Sequence, residues 1–253
     1  LVANLYDFDP AVDGVKREDM EEVDRFMMAR YSELATRVVR SYAEYDWSTI
    51  FQAVNTFATV DLSAFYADVS KDRLYTFAAR SRDRRSAQTA LYVIADGLTR
   101  MVAPILTFTA DEVWKHLPGT RDASVHMAVF PAQAELDAWA DPELAARWQR
   151  LTSIRERVLA QIEPLRKDKQ IGSSLQAKVI LTATAADLAL LEQYAAQLPM
   201  LFIVSDVQLN SVPTDVASHG ETQPLIEIAR AGGTKCERCW RYVPRVSTDA
   251  TWA

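Results

Sequence analysis

The stretch from Lys71 to Trp114 joins a cationic run to an apolar stripe at helical spacing, and the rest of the chain can be placed around it. Leu91, Ile94, Ala95, Leu98, Met101, Val102 and Ile105 recur at three- and four-residue steps, which predicts a helix with one buried face. Pro104 should end or kink that helix, because proline removes a backbone donor and its ring clashes with the preceding turn. Thr109 then has the character of an N-cap for a short helix, with Glu112 as its capping-box partner. Ahead of the stripe, Lys71, Arg73, Arg80, Arg82, Arg84 and Arg85 stand against Asp72 and Asp83, a local +4 in a chain whose total is −6. A cationic loop is thus expected on a buried helix. Such a loop suits a polyanion.

The charge is uneven elsewhere too. Residues 1–70 hold 6 basic and 13 acidic side chains, whereas residues 230–253 hold 5 basic and 2 acidic. The net charge argues against non-specific coating of nucleic acid but leaves room for local basic patches. The alternative is that these charges are solvated helix faces, or that the arginines pair with the acidic N-terminal helices.

Taken in order, residues 1–14 carry the loop signals Asp9-Pro10 and Asp13-Gly14. The acidic run EDMEEVD favours a helix start, and Val23, Phe26, Met27, Tyr31, Leu34, Val38 and Tyr42 form its stripe. Ile50, Phe51, Val54, Phe57, Ala58, Leu62, Phe65 and Val69 predict a second helix; their aromatics read as core. With the helix after Arg85 and a short one near Val113 they make a bundle over residues 1–132. Residues 133–230 read as a long helix from Pro142, striped by Leu144, Trp148, Leu151, Ile154, Val158, Ile162 and Leu165, then a small α/β module. Its strands are expected at 177–183, 201–209 and 224–230, with a helix from about Ala186 to Gln197. The long helix ends in RKDKQIGSSL, a basic turn containing Lys167 and Lys169. The fold class is mainly α: a helical bundle, a small α/β domain and a zinc-ribbon-like tail over residues 231–253.

That tail, GGTKCERCWRYVPR, sets two glycines before Cys236 and Cys239, with arginines around them. The spacing is that of a zinc knuckle, in which a tight turn brings two thiolates to one metal, but only half a site is present. A redox C-x-x-C is the alternative, although that motif should open a helix after a strand. No phosphate loop, dinucleotide fingerprint or nucleophile elbow occurs, and seven glycines leave little material for a phosphate cradle. Carboxylates fall on helix faces without an acid–base pair. Apolar runs are far shorter than a membrane span, and the expected setting is a reducing cytoplasm.

NLYDFDP, LSAFYADVSKDRLYT, RRSAQTALY, APILTFTADEVW, IGSSL and KCERCWRY, in this order, resemble the C-terminal part of bacterial isoleucyl-tRNA synthetases. APILTFTADEVW also resembles strings of other class I synthetases for aliphatic amino acids, so the corresponding part of one of these is an alternative. So are a stand-alone RNA-binding module and a helical interaction protein. The resemblance implies an anticodon-binding bundle, a junction domain and a zinc domain that together hold tRNA(Ile). It implies that the catalytic domain, with its ATP site, and the editing domain lie in N-terminal parts outside this chain, so that the chain itself is a non-catalytic monomer. It also implies a second C-x-x-C beyond Ala253, which leaves Cys236 and Cys239 as half of the metal ligands. The residues expected at RNA are Lys71, Arg73, Arg84, Arg85, Lys167, Lys169, Arg238, Trp240 and Arg241.

Overall fold

The structure is a computed structural model that describes residues 1–212 and 223–246. The chain packs as two compact units, Leu1–Ala146 and Arg147–Ala253.

The first unit is helical. α1 (Glu22–Ala43) and α4 (Arg82–Val102) form its centre. Their stripes bury Met27, Tyr31, Ala35 and Val38 on α1 and Ala87, Leu91, Ile94 and Met101 on α4. Each of the larger ones among them, such as Met27, Leu91, Ile94 and Met101, contributes roughly 1.5–3 kcal/mol of apolar burial. Gly97 on α4 lets the helices approach: a Cβ there would overlap the Tyr31 hydroxyl and ring. α2 (Trp47–Thr56) runs into a π-helical segment (Phe57–Ala67) and then α3 (Asp68–Tyr75), one helical run in three parts. Asp46 caps α2 by accepting from the Thr49 amide at 3.0 Å, and Ser81 caps α4 by accepting from the Arg84 amide at 3.4 Å. α5 (Thr107–His116) and α6 (Gln133–Asp137) complete this unit.

Several expectations change here. The cationic stretch is not a loop: Lys71–Tyr75 belongs to α3 and Arg82–Arg85 to the first turn of α4, leaving only residues 76–81 between them. α4 ends before Pro104 as the proline requires, but Thr109 is not a cap; it sits inside α5, whose N-cap is Leu106. Ile105 falls beyond the end of α4 and is 49 % exposed instead of joining its stripe. Phe51, expected in the core, is 69 % exposed.

In the second unit, α7 (Pro142–Lys167) precedes a three-stranded sheet of order β2-β1-β3. β1 (Ala177–Ala183) pairs parallel with β2 (Asp206–Ser211) and antiparallel with β3 (Leu225–Arg230). α8 (Ala185–Gln193) and α9 (Leu198–Phe202) lie in the crossover between β1 and β2. Alternate residues of β1 are buried, including Val179 and Leu181. The apolar run at 201–205 is therefore not the start of a strand. Pro199 opens a helical turn that holds Leu201 and Phe202, and Ile203 ends it with a left-handed φ of 57°. A short apolar run alone does not separate buried helix from buried strand. The last element among the described residues is a hairpin of β4 (Thr234–Lys235) and β5 (Tyr242–Val243). Among the described residues no helix is long and apolar enough to cross a membrane.

Candidate nucleic-acid interface

Three of the expected phosphate-binding arginines point inward. Arg73 is 4 % exposed and meets Asp24 through two N–H···O bonds of 2.7 and 2.8 Å. Asp24 also accepts from the hydroxyls of Tyr66 and Ser86. Burial works against the Arg73 charge, yet Asp24 beside it more than offsets this and holds the guanidinium above its ordinary pKa. Burial raises the Tyr66 phenol well above its usual value, so it stays a neutral donor. Arg84 donates to Asp7 Oδ2 and to the Tyr6 hydroxyl, both at 3.1 Å. Arg85 donates to the Asp7 carbonyl at 2.9 Å and to Gln88 Oε1 at 2.7 Å, with Asp13 at 3.4 Å. These two guanidiniums hold the N-terminal segment onto α4. Pairing with N-terminal acids, the alternative raised by the charge distribution, is what the structure shows for all three. A guanidinium buried against a carboxylate has no exposed face left for a phosphate, even though the Nε of each of the three finds no hydrogen-bond partner.

Lys71 stays at the surface, half-exposed, with Asp68 at 3.0 Å. Arg80 is exposed and makes no ion pair among the described residues, and Arg82 lies 3.4 Å from Asp19.

In the second unit, Lys167 and Lys169 are exposed at the end of α7, with Lys169 at φ 56° where the helix turns off. The hairpin beyond β3 carries the other expected residues. Its turn is closed by Cys236 N–H donating to the Arg241 carbonyl at 2.8 Å and Trp240 N–H donating to the Cys236 carbonyl at 2.9 Å. Gly233, at φ 97°, lies where a Cβ would collide with the Val243 carbonyl, so only glycine fits. Trp240 has φ 62°, a conformation costing a non-glycine residue about 1–3 kcal/mol, and its ring is 61 % exposed with the Lys235 ammonium 5.6 Å away. Arg238 is exposed and Arg241 half-buried.

One set of bonds joins the two basic pieces. Gln176 accepts from the Gly172 amide at 2.7 Å and donates to the Tyr242 hydroxyl at 3.4 Å. Ser205 Oγ accepts from the Tyr242 amide at 2.6 Å and donates to the Leu175 carbonyl at 2.5 Å. The turn after α7 and the hairpin are thereby tied to a common frame. Gln176, Ser205 and Tyr242 carry no charge and no motif, so a reading by charge and spacing passes over them.

Cys236 and Cys239 lie on the same turn. The backbone amides of Cys239 and Arg238 point at the Cys236 sulfur and lower its pKa, whereas burial raises that of Cys239. Amides aimed at one of two neighbouring sulfurs suit a thiolate pair, so the turn fits half of a tetrahedral zinc site. Among the described residues no group of three or more His, Cys, Asp or Glu side chains converges on a metal position.

The profile of the anticodon-binding domain of tRNA ligases matches residues 24–181. The chain is 44% identical over 250 residues to the isoleucine–tRNA ligase of Symbiobacterium thermophilum, which covers 96% of this chain and 27% of that protein. It is 43% identical over 253 residues to the isoleucine–tRNA ligase of Syntrophotalea carbinolica, covering 99% of this chain and 27% of that protein. The enzyme of Geobacter sulfurreducens is 40% identical over 252 residues, again 27% of its length. The chain thus spans about a quarter of the length of these relatives. By the profile that spans α1 to β1, the chain belongs to the anticodon-binding domain family of tRNA ligases.

Proposed function

We propose that this chain is the tRNA-holding, C-terminal portion of a bacterial isoleucine–tRNA ligase and that it binds tRNA(Ile) without catalysing ligation itself. The observation that carries this reading is identity of 37% to 44% to isoleucine–tRNA ligases over nearly the whole chain, with the family profile over residues 24–181. On this reading residues 1–132 are the anticodon-binding bundle, residues 133–230 the junction domain and residues 231–253 part of a zinc domain. ATP and isoleucine are handled by the portions of the relatives that this chain does not span, in the cytoplasm, and the chain acts as a monomer.

The RNA contacts are assigned to surface cations rather than to Arg73, Arg84 and Arg85. Lys71 serves the bundle. Lys167, Lys169, Arg238 and Arg241 serve the second unit, where the Gln176–Tyr242 bond links their two elements. Trp240 offers its exposed ring for base stacking, worth about 1–3 kcal/mol per base. Zinc would be held by Cys236 and Cys239 together with two ligands from elsewhere, and would fix the turn that presents Trp240.

Filter binding of the chain to tRNA(Ile) and to valine tRNA across a salt series tests the proposal. Tighter binding of tRNA(Ile), with affinity falling as salt rises, supports it. Equal affinity for the two tRNAs, or none for either, overturns it.

A further inference from the structure

Cys236 and Cys239 are the only cysteines in the sequence of 253 residues, so any disulfide within the chain joins these two. They stand three residues apart at the turn of the β4–β5 hairpin, both half-exposed. Residues 237–239 form the turn, and the Trp240 amide donates to the Cys236 carbonyl across it at 2.9 Å. Cα atoms three apart in a turn lie within about 7 Å of each other. Disulfides span Cα separations of about 4.4–6.8 Å. The side chains themselves meet, sulfur acting on sulfur. A pair so placed is within reach of a bridge.

Protein contacts keep this turn shut. The Cys236 amide donates to the Arg241 carbonyl at 2.8 Å, and Lys235 pairs with Tyr242 in the strands beside it. The Tyr242 amide donates to Ser205 Oγ at 2.6 Å, which fastens the hairpin to the residue before β2. Gly233 lies against the Val243 carbonyl, where a side chain would force the strands apart. The two cysteines are thus held together whether or not a metal bridges them. Lys235, Arg238 and Arg241 flank them, with Glu237 as the one acid from 235 to 241. A cationic setting of this kind attracts an anionic oxidant such as glutathione disulfide. A strand, β5, follows the pair, whereas an oxidoreductase motif opens a helix, so the turn suits a group that is modified rather than a redox catalyst.

We propose that Cys236 and Cys239 form a site of reversible thiol–disulfide modification, closed by glutathione disulfide and reopened by glutathione. One cysteine thiolate attacks a sulfur of glutathione disulfide. The glutathione S–S bond breaks, a mixed disulfide forms and one glutathione thiolate leaves. The other cysteine thiolate then attacks the protein sulfur of the mixed disulfide and expels the second glutathione. Two protein thiols thereby lose two electrons and two protons, and glutathione disulfide gains both to become two glutathione thiols. The bridge is half-exposed and closes a loop of two intervening residues, which places it with labile disulfides rather than with the structural ones of secreted proteins. A disulfide offers no thiolate to a metal, so the bridged form and a zinc-bound form exclude each other. That consequence, though not the modification, rests on the reading of the turn as half of a zinc site.

The test equilibrates the 253-residue chain with mixtures of reduced and oxidised glutathione, blocks the remaining thiols with iodoacetamide and weighs the chain by mass spectrometry. As the mixture becomes more oxidising, the chain should pass in one step from doubly alkylated to unalkylated and lighter by two hydrogen atoms. Excess reduced glutathione should reverse the change. Cys236→Ser and Cys239→Ser should each stop at a single glutathione adduct. In urea the midpoint should move to more oxidising mixtures, because the turn no longer holds the sulfurs together. Glutathione adducts or disulfide-linked dimers in place of the internal bond overturn the proposal, as does a midpoint that urea leaves unchanged. Excess zinc should protect the reduced chain, and the bridged chain should take up none. An internal disulfide that forms equally well with zinc present sustains the modification and removes the zinc reading instead.

Discussion

Arg73 on α3 and Asp24 on α1 share two hydrogen bonds of 2.7 and 2.8 Å, with Asp24 wholly out of solvent. With the Ser86 hydroxyl donating to the same carboxylate, the pair pins three helices at one point. Removing one member leaves a buried charge without its partner, which costs roughly 3–5 kcal/mol. Arg73→Ala should therefore lower the urea midpoint strongly, whereas Arg73→Met with Asp24→Leu should recover much of the stability. Equal destabilisation by the single and double changes would show that the pair is not the reason for the cost.

Arg84 and Arg85 make a second, separable prediction. Both are bound to Asp7, so alanine at either should loosen the N-terminal segment, seen as faster amide exchange at residues 4–13, without altering the salt dependence of tRNA binding. Lys167→Ala with Lys169→Ala should do the opposite. Stability should hold while the slope of log K against log salt shrinks by about 0.7–0.9 for each phosphate that is no longer neutralised. A reduced slope in the Arg84 and Arg85 variants would return them to the RNA surface.

These cases show what a sequence discloses and what it withholds. The long helices were legible because Val23, Phe26, Tyr31 and Val38, or Leu144, Trp148, Ile154 and Val158, repeat at helical spacing and are indeed buried. Charge was legible as a sum but not as a location. Arg73, Arg80 and Arg84 look alike as cations in a sequence, yet one is buried on Asp24, one is exposed without an ion pair among the described residues, and one holds Asp7. Their partners lie many positions away, and no local pattern encodes such a distance. Phe51 fits the helical repeat of its neighbours, but helix spacing fixes only relative faces, and the π-helical segment from Phe57 onward shifts the later face against the earlier one.

Gly97 and Tyr31 give a prediction whose sign runs against helix propensity. In an exposed helix Gly→Ala adds about 1 kcal/mol of stability. Here the new methyl would meet the buried Tyr31 ring, and overpacking of this kind costs about 1–3 kcal/mol. Gly97→Ala should lower the melting temperature. Tyr31→Phe should partly rescue it, because the hydroxyl is the nearest atom to the added carbon. Additive effects in that double-mutant cycle would place the strain elsewhere.

The last prediction concerns the order in which Cys236 and Cys239 react. The amides of Cys239 and Arg238 favour the Cys236 thiolate, so its pKa is lowered, while burial disfavours the Cys239 thiolate and raises its pKa. As pH rises from neutrality, Cys236 should therefore lose its proton first, and iodoacetamide should label it before Cys239. Two thiolates supply half of a tetrahedral zinc shell, and binding energy is released only when the shell closes. The purified chain should accordingly hold well under one zinc, and a chelator should leave its melting temperature unchanged. Where zinc does bind, it should protect both cysteines from labelling. The decisive comparison is metal analysis and labelling of the chain beside its Cys236→Ser variant. Stoichiometric zinc that survives the substitution, or labelling of Cys239 ahead of Cys236, would mean that the turn does not work as a thiolate pair.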